Sequence, residues 1–231
     1  MRSVSRVLGV DACRAGWVGV MLSGSGTHAL VRADIAELVV AACADGMLDV
    51  VAIDIPIGLA DASVRQADLL ARKAAGPRWA SVFVTPARAA LHAATYAEAL
   101  EVSRKLTGSG ISSQAYHLGP KILQVDGWRA DAPCPVVEAH PELSFAEMAG
   151  GPLPDNKNTW AGAAYRRQLL AAQRIDLGGD LGLSGLRVGV DDVLDAAALA
   201  WTASRVAAGT ARRLPAEAER FSDGVDCAIW T

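Results

Sequence analysis

The sequence has no apolar run near the roughly twenty residues that a membrane-spanning helix needs, no cysteine pair at CxxC spacing and no excess of basic residues. Each absence closes off a class. No transmembrane segment is expected, and Met1-Arg2-Ser3-Val4 leads toward a strand rather than a signal peptide. Cys13, Cys43, Cys134 and Cys227 are scattered, which suits neither a zinc ribbon nor a disulfide framework and points to a soluble, reduced, cytoplasmic protein. A net charge of -3 argues against a broadly basic nucleic-acid binder. There is no internal repeat and no low-complexity segment, and Gly178 to Gly185 reads as a flexible loop. No second glycine-rich phosphate motif lies between Ala62 and Thr231, so the two halves of an actin-like phosphotransferase are not there.

What is present is a chain of 231 residues, 52% hydrophobic and 20% charged, long enough for one domain with a real core. Its charge is uneven. Ala62 to Arg129 holds nine Lys or Arg against four Asp or Glu, and the remainder holds thirteen against twenty-one. That split is either chance unevenness on solvated surfaces or a basic flank that brings a polyanion to an acidic, cation-binding centre.

The chain is organised around Arg6 to Met21. Val7, Leu8 and Val10 form a run too short for a helix, and a turn with Gly16 leads to a second run from Trp17 to Met21. Asp11 closes the first strand, either as a turn-former bonded to nearby backbone or as a ligand at the rim of a sheet. Thr27 to Arg32 can pair antiparallel with the second strand. Asp34 then caps a helix to about Ala44, ended by Gly46, and Asp49 to Ile53 reads as a buried parallel strand finishing in Asp54-Ile55-Pro56-Ile57-Gly58. Strand, helix, strand is a crossover unit, so Asp11 and Asp54 fall at carboxyl ends of neighbouring strands, where open α/β sheets place ligands.

From about 62 to 130 the pattern is mostly helical and reads as an insertion within a single domain. Ser63 to Ala75 is a helix on which Arg65, Asp68 and Arg72 share a face, as a surface ion-pair ladder or as part of a phosphate-facing rim. Trp79 to Arg88 is an irregular loop. Thr95 to Glu98 is a capping box for a helix ending before Gly108, and a helix from about Ser113 to Val125 carries Lys121. Beyond the insertion, Pro135 to Ala139 restores a strand with Glu138 at its end. Ser144 to Glu147 is a second capping box, and Lys157 to Ile175 holds a loop and then a helix with Arg166, Arg167 and Arg174 facing solvent. A last long helix starts at Asp191 and runs to about Ala208, and Val225 to Trp230 is a closing edge strand.

Four carboxylate positions converge: Asp11, Asp54, Glu138 and the Asp192/Asp195 pair, whose three-residue spacing puts both on one helix face. Crowded hard oxygens call for a hard divalent cation, Mg²⁺ or Mn²⁺, and such ions serve in-line displacement at a phosphodiester. Helix capping accounts for Asp191 but not for Asp195, a turn inside an apolar, Ala-rich helix.

Gly9-Val10-Asp11 with Gly16-Trp17, then Asp54-Ile55-Pro56-Ile57-Gly58, then Asp192-Val193-Leu194-Asp195-Ala196, resembles the ribonuclease H-like superfamily. More narrowly, the chain resembles the family called domain of unknown function 429, regarded as predicted nucleases of that fold. Arg65-Gln66-Ala67-Asp68, Ser81-Val82-Phe83 with Pro86, Glu138-Ala139-His140-Pro141-Glu142, and Lys157 with Gly162 and Arg166 match it as well. The resemblance implies an α/β fold with a mixed sheet, its first three strands antiparallel and the rest parallel, flanked by helices. It implies metal ligation by Asp11, Asp54 and Asp195, with Asp192 or Glu138 as a further ligand. Lys157 and Arg166 join Arg65, Arg88 and Lys121 as substrate-binding candidates. The function expected is a Mg²⁺- or Mn²⁺-dependent nuclease. The alternative is a non-catalytic or small-molecule binding protein that holds a nucleotide or phosphometabolite in the same acidic cleft. Neither reading determines an oligomeric state.

Overall fold

In the computed structural model, residues 5–231 are described, and the reading of Met1 to Val4 lies outside them. In chain order the elements are β1 (Val7–Cys13), β2 (Gly16–Ser23), β3 (Gly26–Arg32), α1 (Ile35–Ala42), β4 (Val50–Ile53), α2 (Gln66–Ala74), α3 (Arg88–Leu91), α4 (Tyr96–Thr107), α5 (Ser113–Trp128), β5 (Val136–Ala139), α6 (Pro141–Ala149), α7 (Trp160–Ala172), α8 (Val190–Ala207), β6 (Arg213–Arg220) and β7 (Asp226–Trp230). They fall into two compact units. One comprises residues up to Asp54, Asp131–Arg212 and Trp230–Thr231; the other comprises Ile55–Ala130 and Arg213–Ile229.

In the first unit the strands lie in the order β3-β2-β1-β4-β5. β2 pairs antiparallel with both β1 and β3, whereas β1 with β4 and β4 with β5 are parallel. The mixed sheet expected from the sequence is therefore observed. Its hairpin turns over Arg14-Ala15, and Gly16 sits at φ 125° where an added Cβ would lie 2.4 Å from the Arg32 carbonyl oxygen, so only glycine fits.

The two faces of this sheet are covered differently. On one, Ile35, Leu38 and Val39 of α1 are fully buried, and a Cβ on Gly19 would already press Leu8 and Leu38 at 3.0 and 3.2 Å. Burial of side chains of this size stabilises by roughly 1.5–3 kcal/mol each. On the other face α8 lies so close to β1 that a Cβ on Gly9 would fall 2.0 Å from the Ala200 nitrogen and 2.1 Å from the Ala196 oxygen. Val7, Val50, Ala52 and Ala139 pack with Leu199 and Ala203 of α8 on this side. The alanine-rich composition of α8 lets two backbones approach, and that approach fixes the helix's height along the strand.

Local chemistry accounts for most ends. Asp34 caps α1 by accepting from the amides of Ala36 and Glu37 at 2.7 and 3.3 Å. Thr95 caps α4, accepting from Glu98 N at 3.2 Å, and Gly108 closes it at φ 72°. Two expected starts are corrected. The helix placed at Ser144 begins instead at Pro141, because proline is pre-shaped for the first helical position; His140 is the cap, and the Ser144 hydroxyl lies within hydrogen-bonding distance of the His140 carbonyl oxygen and Thr202 Oγ1. The last helix is capped at Gly189, not Asp191, and it is the Asp192 carboxylate that reaches back to accept from Gly189 N at 3.2 Å.

The second unit holds α2 to α5 with the neighbouring strands β6 and β7. β6 was absent from the sequence reading, since its charges and Pro215 mask the alternation, and the expected edge strand, β7, has β6 beside it. Glu219 of β6 accepts from the amides of Gln66 and Ala67 at 2.6 and 3.4 Å, and so caps α2 from another element.

Candidate functional site

Register brings the first two carboxylates together. Val10 pairs with Ile53, and Asp54 N donates to the Val10 oxygen at 3.1 Å, so Asp11 and Asp54 follow at the same level of adjacent parallel strands. Alternation then decides their face. Gly9 and Ala52 point toward α8, so Asp11 and Asp54, two residues on, point there too. The contact at Gly9 sets Ala196 and Ala200 against β1, which leaves Asp195 at the carboxyl ends of the strands. Asp11 and Asp195 are only 7% and 3% exposed, whereas part of Asp54 reaches solvent. Asp11 also accepts from Ala12 N at 2.7 Å, so it bonds nearby backbone and faces the cluster at once.

Buried acids at this spacing hold their protons tightly. Burial, then the charges of Asp54 and Asp195, push Asp11 well above the usual carboxylate range, and Asp192 adds to this. Burial raises Asp54 as well, opposed by His140 and Lys157 and reinforced by Glu142. Asp195 is pushed up to about 6, chiefly by burial, against the pull of Lys157. Asp192 is raised by burial and by Asp191.

Lys157 provides the opposing charge. Its ammonium donates to Asp195 Oδ2 at 2.6 Å and lies 3.6 Å from Asp191 Oδ2, with the side chain 34% exposed. Burial pulls its pKa down, yet Asp195, Asp11 and Asp191 together hold it above the ordinary lysine value. The segment that delivers it explains why Lys157, Gly162 and Arg166 occur together. A Cβ on Gly162 would fall 2.0 Å from the Asn156 oxygen, and Thr159 Oγ1 donates to that oxygen while accepting from Gly162 N. Arg166, fully buried, donates through Nη1 to the oxygens of Asp155 and Gly162 at 3.2 Å each, and through Nη2 to Glu142 Oε1 at 2.7 Å. Its guanidinium lies 5.3 Å from the Phe145 ring centroid. The expectation that Arg166 faces solvent is therefore corrected: it neutralises Glu142 and anchors the Lys157 turn.

Other candidates fall elsewhere. Glu138 pairs with Ile53, one residue before Asp54, so it points to the opposite face of the sheet and does not join the cluster. Arg65 is fully buried in the second unit, 3.2 Å from Asp68, whose carboxylate accepts from Thr85 N and Oγ1, and Arg72 lies over the Trp79 ring at 4.5 Å. A surface ladder over Arg65, Asp68 and Arg72 is thus excluded, because a buried pair needs its remaining bonds satisfied from within. Arg88 spans Asp126 and Asp223 at 2.6 and 2.8 Å. Lys121 is half-buried on α5. Glu142 and His140 also act on the cluster, and the one local sign of it in the sequence is that both flank Pro141 at a helix start.

The donor set is all-oxygen, buried and self-repelling, which suits a hard cation such as Mg²⁺, an ion that takes one or two carboxylates and completes its shell with water or phosphate. It does not form a closed cage: among the described residues no three His, Cys, Asp or Glu side chains are arranged to ligate one ion. The fold and this cluster together define an α/β protein of ribonuclease H-like arrangement, with a buried carboxylate group at the carboxyl ends of its central parallel strands. The chain belongs to the family described as "Protein of unknown function (DUF429)", which matches residues 9–220 and so takes in the whole cluster. No curated protein and no solved structure matches the chain.

Proposed function

We propose that the chain is a Mg²⁺- or Mn²⁺-dependent hydrolase of phosphodiester bonds in nucleic acid. The observation that carries this reading is that Asp11 of β1 and Asp195 of α8, both buried, gather with the half-buried Asp54 just after β4 against their mutual repulsion. A fold gains nothing in stability from such an arrangement, since each ionised member is costly to desolvate, and strongly perturbed acids grouped in this way are characteristic of functional sites. Asp11 and Asp54 would hold the cation, with Asp195 opposite them. When bound, such a cation polarises a phosphoryl oxygen and lowers the pKa of a coordinated water. The chain's own part is to orient the carboxylates. Register holds Asp11 and Asp54 level, the Gly9 contact sets the height of Asp195, and Arg166 pairs with the nearby Glu142. Free cysteines at positions 13, 43, 134 and 227 suit a reducing, cytoplasmic setting.

The test is cleavage of single-stranded, duplex and branched oligonucleotides in Mg²⁺ and Mn²⁺, with Asp11→Asn and Asp54→Asn as controls. Cleavage by the parent that both variants lose is the expected result. A parent that cleaves none of the three substrates with either ion refutes the proposal.

A further inference from the structure

We propose that Lys157 is the resident cation of the carboxylate site, and that a divalent ion enters only by displacing its ammonium from Asp195. The inference rests on the metal-dependent reading above and adds how that site is regulated.

Two observations carry it. First, the ammonium occupies ligand space. At 2.6 Å from Asp195 Oδ2 and 3.6 Å from Asp191 Oδ2, it takes the oxygen directions a metal would need on that side of the site. A divalent ion at that carboxylate oxygen competes with the lysine, because the repulsion between the two cations at such a separation outweighs what the singly charged ammonium gains there. Second, the ammonium is delivered, not wandering. The Asn156 carbonyl sits in the space left by the missing side chain of Gly162, Thr159 Oγ1 ties the same carbonyl to α7, and Arg166 grips the Asp155 carbonyl from within the core. The side chain is a third exposed, so it has a way out: the ammonium can swing toward water while its methylenes stay packed.

Release from the site, rather than recruitment to it, is therefore the role assigned to Lys157. Its displacement weakens divalent binding in the parent, so the bare protein is held in a compensated state until the ion is abundant enough to replace the lysine.

The experiment is a Mn²⁺ titration by calorimetry of the full-length parent and Lys157→Met, read beside reductive methylation of lysines with and without Mn²⁺. Peptide mass spectrometry follows Lys157 against Lys73, Lys105 and Lys121 as internal references. Lys157→Met should bind Mn²⁺ tighter by about tenfold or more, a figure reduced from the full Coulomb value because the ammonium is partly solvated. In the parent, saturating Mn²⁺ should raise labelling of Lys157 alone, a measurement that stands even if the variant does not fold. Mn²⁺ binding that is equal or weaker in Lys157→Met, or unchanged labelling in a parent that binds the ion, overturns the displacement model and leaves the metal site standing. No Mn²⁺ binding by either protein overturns both.

Discussion

Asp195→Asn should make the protein more stable, and only above a particular pH. Asp195 is 3% exposed, and its carboxyl is raised from 3.8 to about 6, mainly by burial. The folded state therefore binds this proton more tightly than the unfolded state. The stabilisation from holding the proton is complete below about pH 3.8 and is lost as pH rises through 6. A shift of about two units corresponds to roughly 3 kcal/mol. Asparagine keeps an oxygen for the Lys157 ammonium but cannot ionise, so the variant should not show the loss. Parent and variant should match near pH 4, and the variant should be ahead by up to about 3 kcal/mol at pH 7. Asp11 and Asp54 remain in both proteins, and because the Asp195 charge helps to raise Asp11, its removal eases ionisation of Asp11 and adds to the variant's advantage at neutral pH. The assay is urea denaturation at intervals from pH 4 to pH 8 in EDTA. Parallel stability curves, or a variant less stable than the parent at pH 7, would show that the Lys157 contact outweighs burial and that the reasoning is wrong.

Two further outcomes test the frame around the site. Gly9→Ala forces a methyl into the backbone of α8 at 2.0 Å and should destabilise by about 3 kcal/mol or more, seen as a large drop in melting temperature; an unchanged melting curve would mean that α8 does not rest on β1 as described. Arg166→Met strands Glu142 without its counter-ion and should cost about 3–5 kcal/mol, part of which Glu142→Gln in the same protein should restore; full additivity of the two changes in a double-mutant cycle would count against the pair.

Much of the frame is written locally. The hairpin over Arg14-Ala15, the crossover from β1 to β4, and the caps at Asp34 and Thr95 each follow from residues a few positions apart, and the sequence reading matched them. The errors came where a distant group displaced a local one. Asp191 looks like the cap of α8, but Gly189 takes that position and Asp191 turns to Lys157, thirty-four residues earlier in the chain. Ser144 looks like a cap, but it is bonded inside a helix that Pro141 had already started. Arg166 looks like a solvent-facing charge on a helix, and only the arrival of Glu142 and the Asp155 carbonyl makes its burial tolerable.

The sequence by itself therefore determined the hairpins and the crossover that join β1 to β4 and the presence of carboxylates just past their parallel pairing, because period, turn chemistry and capping act over a few residues; the charged strand β6 escaped it. Tertiary structure alone decided which carboxylates meet. One step of register sends Glu138 to the far face while Asp11 and Asp54 stay level, and the missing side chain of Gly9 sets Asp195 opposite them. It also decided that the charge beside Asp195 is a lysine from a turn, since pairing across 38 residues is a fact of packing that no local pattern encodes.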